Sequence, residues 1–160
     1  MSSRRPPLDI VLLGDIGIAL AGEPDLPFVA GSWLATASVR GVGIGHARAV
    51  PTPAPFPPGH PTAAGRTLGP DRCDEWLAGG LELVELSVAT GMRRCGVGAS
   101  LLEAVCTPAR AGRVWVALDP GRHGHVADFL AGRGWTCPAD GDPVVLLGPR
   151  HPAGRRAVRA

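Results

Sequence analysis

The chain has 160 residues, 45% of them apolar, and a formal net charge of +2 at pH 7. That length suits one domain with a real core, that apolar share argues against disorder, and that charge is too small to imply a nucleic-acid partner. All 16 basic residues are arginine, so mechanisms needing a catalytic lysine are excluded, and there is no tyrosine.

Residues 1–7 are basic, but Asp9, Asp15 and the glycines that follow make a poor signal-peptide core. No stretch reaches the ~20 apolar residues of a membrane span. A cytoplasmic protein with no membrane partner is expected. Residues 10–20 are apolar but broken by Gly14 and Gly17, which predicts a first strand running into a helix. Residues 23–27 read as a turn. Residues 28–39, with Trp33, Leu34 and β-branched side chains, predict a strand, and residues 41–50 its hairpin partner.

Between those two lies Arg40-Gly41-Val42-Gly43-Ile44-Gly45, which superficially resembles a dinucleotide fingerprint. Pro51, Pro53 and Pro55 follow too closely for a stable helix to start. Without a helix N-terminus a phosphate finds no aligned N–H groups, so the run predicts a glycine-rich hairpin. Residues 51–70 hold seven prolines and few apolar residues. They predict an extended or mobile loop, either lining an acceptor site or forming a solvated insertion. Residues 71–77, with Trp76, predict a short helix or turn leading into the next strand.

Leu81–Val88 is a short apolar run of strand length. Residues 89–98 form a turn rich in small and basic side chains. Residues 99–105 begin a helix with Leu101, Leu102 and Val105 on one face and Glu103 elsewhere, and Pro108 ends it. A strand, a glycine turn and a helix N-terminus make an anion site, because the first helical turn leaves N–H groups without partners at the positive end of the dipole. Gly96 and Gly98 allow close approach, and Arg93 and Arg94 add charge. The plain alternative is a surface glycine turn with solvated arginines.

The spacing Arg93-x-x-Gly96-x-Gly98, with a strand before it and the helix after it, resembles the pyrophosphate-binding signature of the GNAT superfamily of acyl-CoA-dependent N-acetyltransferases. The resemblance covers roughly residues 80–135. Beyond it, residues 113–118 predict a strand, residues 124–132 a helix with Val126, Phe129 and Leu130 on its apolar face, and residues 144–147 a final strand. Gly134-Trp135 is similar to the glycine–aromatic pair that closes the family's late helix. The tail from Pro149 carries four arginines and is expected to fray. The expected architecture is α/β (α+β): a single GNAT-like domain over residues 1–150, with a mixed, twisted central sheet flanked by helices, and a basic, disordered tail over residues 151–160.

The resemblance implies acetyl-CoA as co-substrate. By position, Leu86, Ser87 and Val88 would meet the pantetheine arm and the acetyl carbonyl. Arg93, Arg94, Cys95, Gly96, Val97, Gly98 and Ala99 would hold the pyrophosphate. Two carboxylates on the central strand are candidate bases. Glu82 lies six residues before Val88, where some family members place a glutamate base, and Glu85 matches an acidic position common in bacterial members. Three apart on a strand, they face opposite sides, so at most one meets the substrate; either is otherwise an ordinary surface or strand-end glutamate. His46, His60, His123 and His125 have no motif support. Many family members protonate the departing thiolate with a tyrosine, and here Leu130 stands in that place. Cys73, Cys95, Cys106 and Cys137 show no metal-ligand spacing, so reduced thiols and no metal are expected. The expected function is acetyl transfer to the amine of a small molecule or peptide, with no nucleic-acid partner and with a homodimer left open. The alternatives are a non-catalytic acyl-CoA-binding or sensing protein on the same fold, and an unrelated nucleotide-phosphate binder.

Overall fold

A computed structural model describes residues 7–14, 31–93 and 95–157. The helix expected within residues 15–20, the turn at residues 23–27, the start of the second predicted strand and Arg94 lie outside the described residues. The described chain is mixed α/β. Its elements are β1 (Leu8–Gly14), β2 (Trp33–Val39), β3 (Val42–Pro51), α1 (Ala64–Leu68), α2 (Pro70–Arg72) running on into a π-helical turn (Cys73–Leu77), β4 (Leu81–Val88), α3 (Val97–Cys106), β5 (Val114–Leu118), α4 (Pro120–Ala131), β6 (Val144–Leu147) and α5 (Pro152–Ala157). The strands form a six-stranded sheet in the order β1-β2-β3-β4-β5-β6. β4 and β5 pair in parallel and β1/β2, β2/β3 and β5/β6 antiparallel, giving the mixed sheet that a strand–helix–strand order implies. Among the described residues no helix is long and apolar enough to cross a membrane.

The chain packs as two compact units, Met1–Val50 with Leu83–Thr107, and Pro51–Glu82 with Pro108–Ala160. In the first unit the glycine-rich run is a hairpin, as its prolines imply. Val39 pairs with Val42 across a two-residue turn, Arg40 and Gly41, both at positive φ (51° and 76°). Two such residues in succession make the turn whose twist matches that of the strands. One face of this sheet is lined by alanine: Ala35, Ala37, Ala47 and Ala49 are at most 1% exposed. Small side chains there leave room for α3, which packs against β1 and β2. Leu101, Leu102 and Val105 are buried, as expected, and Val97 joins them because the helix starts there, two residues earlier than its periodicity suggests. Thr107 and Pro108 close it.

Gly45 explains how β3 and β4 come together. A Cβ on it would lie 2.7 Å from the Ser87 carbonyl oxygen and 3.0 Å from Leu101 Cδ1. Only a residue without a side chain fits. Beside it the Ala89 N–H donates to the Ile44 carbonyl at 2.8 Å.

The second unit is built around Trp115, fully buried among Ala64, Leu68, Cys73, Leu77, Val145 and Leu147. The proline-rich segment was expected to be an extended or mobile loop, and this is corrected. It contains α1, whose Ala64 and Leu68 are core residues, and Phe56 packs on the same cluster. The Thr52 N–H donates to the Gly80 carbonyl at 2.8 Å, and the Gly79 N–H to the Thr52 carbonyl at 3.0 Å. The few apolar residues between the prolines anchor the segment. The helix expected before β4 is present as α2 and the π-helical turn. Arg113 closes that turn by donating to the carbonyls of Glu75 (2.6 Å) and Ala78 (3.2 Å).

α4 opens with a turn from Pro120, which Asp119 caps by accepting from the Gly121 N–H at 2.9 Å, and kinks at His123 (φ −122°) before the helix expected from residue 124 runs on to Ala131. Leu130 is fully buried, and Trp135 is 5% exposed after Gly134 at φ +86°. Of the tail expected to fray, residues 151–157 are described and residues 158–160 are not. His151 is 1% exposed and α5 follows it. Its Nδ1 accepts from the Ala153 N–H at 3.1 Å, so Nε2 carries the proton and donates to the Trp76 carbonyl at 2.6 Å. Burial holds this imidazole below its ordinary pKa, in the neutral form.

The tight contact at Gly45 predicts that Gly45→Ala lowers the unfolding free energy by about 1–3 kcal/mol, the usual cost of overpacking. Gly43→Ala is the control, since nothing lies within 4 Å of its Cβ position. Urea denaturation of both variants would check this, and equal losses would show that the approach of β3 to Ser87 is not what Gly45 serves.

Candidate functional site

The first unit carries the predicted anion loop. β4 ends at Val88, a single 3₁₀ turn spans Thr90–Met92, and α3 starts at Val97. Gly96 is the helix N-cap at φ 81°, a left-handed conformation natural to glycine, and no side chain caps the helix. The Ser100 N–H bonds to the Gly96 carbonyl at 3.1 Å. The helical ladder therefore leaves the N–H groups of Val97, Gly98 and Ala99 without intrahelical acceptors. Gly98 belongs to the helix's first turn rather than to the loop. Val97 contributes only its backbone, because its side chain is 2% exposed. Cys95 is exposed, and its thiol donates to the Arg93 carbonyl at 3.6 Å. Arg93 is exposed and its Nε donates to the Val88 carbonyl at 3.4 Å, so the guanidinium folds back over the strand end. Leu86 and Val88 are half-buried and Ser87 is exposed.

Glu85 also belongs to this unit. Its Oε1 lies 2.5 Å from Nε2 of His46 on β3, with both side chains partly exposed. The contact pairs a histidine without motif support with a predicted carboxylate. Nothing in the spacing of residues 46 and 85 signals it; the β3–β4 neighbourhood makes it.

Glu82 lies in the second unit and has a different setting. It is 4% exposed, and burial pushes its pKa up to about 7. The parallel ladder sets Glu82 beside Trp115. The Trp115 indole N–H is used elsewhere, donating to Thr52 Oγ1 at 2.8 Å. The polar group that does meet the carboxylate is His60, whose Nε2 lies 3.2 Å from Glu82 Oε2. The His60 ring stacks on Phe56 (centroids 4.9 Å, 28°) and tilts against Trp115 (5.5 Å). The Thr62 N–H donates to His60 Nδ1 at 3.3 Å, which leaves the ring proton on Nε2, facing the carboxylate. Burial also holds His60 below its ordinary pKa. A raised carboxylate and a lowered imidazole are together mostly uncharged just below neutrality. Glu82 can therefore accept a proton near pH 7, which suits a general base. Thr52, Phe56, His60 and Trp115 were not singled out as a group from the sequence, because three of them sit in the proline-rich stretch.

His123 accepts from the Asp119 N–H at 3.3 Å and is exposed, as is His125. Leu130 is a core side chain with no proton to give. Among the described residues no group of three or more His, Cys, Asp or Glu side chains is arranged to hold a metal ion. No family model matches the chain, and no curated protein matches it.

The raised pKa of Glu82 has a consequence for stability. Its folded pKa of about 7 exceeds the ordinary 4.5 of the unfolded chain. The stability it contributes is therefore full below about 4.5 and is lost as pH rises through 7. Glu82→Gln removes that dependence. The variant should gain on wild type between pH 5 and pH 8 by on the order of 3 kcal/mol. The lowered histidines His60 and His151 act oppositely, losing stability as pH falls below the ordinary 6.5, and both proteins keep them. Urea titrations at the two pH values would check the prediction; a gap independent of pH would mean that Glu82 ionises normally.

Proposed function

We propose that the chain is an acetyl-CoA-dependent N-acetyltransferase of the GNAT type, acting on the amine of a small molecule or peptide. One observation carries the reading: β4 leads from a buried carboxylate titrating near 7 into an uncapped helix N-terminus behind a left-handed glycine. A plain surface turn needs neither feature.

Acetyl-CoA supplies the thioester, and its pyrophosphate suits the first-turn N–H groups of Val97, Gly98 and Ala99, with Arg93 adding charge. Glu82 takes a proton from the ammonium form of the acceptor, directly or through a water. The freed nitrogen attacks the thioester carbonyl carbon; the C–N bond forms, the nitrogen gives up its second proton to solvent, the C–S bond breaks and the sulfur leaves with the electron pair. A strand N–H among residues 86–88 stabilises the oxyanion. No side chain takes the tyrosine's part, and solvent protonates the thiolate, a tolerable leaving group near neutral pH. Holding amine and thioester together supplies much of the rate. The core position of Leu130 favours a second reading, in which the chain binds acyl-CoA as a sensor without transferring the acyl group.

Acetyl-CoA should raise the melting temperature where AMP and NAD do not. Gly98→Val should weaken acetyl-CoA binding in a calorimetric titration without unfolding the protein. Glu82→Gln should lower amine-dependent thiol release by on the order of 10²-fold at unchanged acetyl-CoA affinity. A shift from dinucleotides but none from acetyl-CoA would sink the reading. Thiol release by wild type no faster with a broad amine panel than without it would leave the sensor.

A further inference from the structure

We propose that His60 is the positioning residue of Glu82: held from the far side by Thr62 and Phe56, it presents its Nε2–H to Oε2 and leaves Oε1 as the oxygen that takes the proton. The inference rests on the reading of Glu82 as the base. The geometry is built from the proline-rich segment upward. The Thr62 N–H donates to His60 Nδ1 at 3.3 Å and the Thr62 hydroxyl lies 2.8 Å from the same nitrogen. Phe56 stacks on one side of the ring and Trp115 tilts against it, while Trp115 is itself pinned to Thr52. An imidazole clamped in this way has little freedom to rotate away from Oε2, 3.2 Å distant. The side chains of the pair are 11% and 5% exposed, so little water replaces the contact. Among the described residues His60 is the titratable group at ion-pair distance from Glu82, and burial is the cause of the raised pKa of the carboxylate.

A neutral N–H facing a carboxylate stabilises its ionised form and so opposes burial. Removing that N–H while keeping a ring of similar shape should make Glu82 harder to ionise. A residue that only fills space would leave the titration where it is. His60→Phe keeps the stack on Phe56 and lacks the N–H; His60→Gln keeps an N–H at similar reach.

The experiment is a ¹³C NMR titration of the Glu82 carboxyl in the full chain, assigned by its loss in Glu82→Gln, alongside the pH profile of kcat/KM. His60→Phe should move the Glu82 midpoint and the acidic limb of the profile upward by about one pH unit, with KM for acetyl-CoA unchanged, and His60→Gln should restore most of the shift. Should His60→Phe fail to fold, Thr62→Val removes the hydroxyl at Nδ1 while keeping the backbone N–H, loosens the ring, and should shift the midpoint in the same direction by less. Coincident midpoints in wild type and in the folded variants overturn the inference. If wild type shows no amine-dependent thiol release, the acetyltransferase reading falls. The carboxyl titration uses no substrate and still decides whether His60 sets the ionisation of Glu82.

Discussion

A carboxylate withdrawn from water is stabilised only by neutralisation or by polar partners, and at 4% exposure Glu82 has His60 within reach among the described residues. Burial moves the proton instead, bringing the pKa up to about 7. The second unit is arranged around that compromise. Trp115 supplies the apolar wall and spends its N–H on Thr52. Phe56 and Thr62 hold His60, and α1 fixes the segment that delivers all three to the core. Proline restricts φ and so reduces the conformational freedom that such a segment loses on folding. A stretch dense in proline is thus suited to holding a few side chains in fixed places.

The first unit rests on a steric constraint instead. Gly45 has no Cβ to strike the Ser87 carbonyl, and the alanines of β2 and β3 leave a shallow face for α3. Because α3 is seated by Val97, Leu101, Leu102 and Val105, its N-terminus is held by the core while its first N–H groups stay outside it. The loop needs no side-chain cap of its own, and a cap would compete with an anion for those groups.

Local patterning made much of this legible. β4, α3, β5 and β6 follow from apolar runs bounded by glycine and proline, and the β2–β3 hairpin from prolines that forbid a helix. What failed to show were features set by contacts distant in sequence. Phe56, Ala64 and Leu68, which pack with Trp115, are hidden by composition, since proline counts say nothing of where their side chains lie. The burial of His151 is hidden likewise: four arginines suggest fraying, and the imidazole reveals itself only when Trp76 and Ala153 are beside it. The place of Glu82 on β4 follows from the apolar run of residues 81–88. The place of its partner His60 was not legible, because a histidine lying in a proline-rich segment has no periodicity to place it.

Arg93 folds over the end of β4, its Nε on the Val88 carbonyl. A lysine could reach the same carbonyl, but it would set a primary amine beside any thioester lying along that strand. Guanidinium stays protonated well above physiological pH and is a poor nucleophile. With arginine at all 16 basic positions, the chain has no ε-amine anywhere to be acylated. Under the proposed function, a bound thioester would meet side-chain cations that are chemically inert towards it.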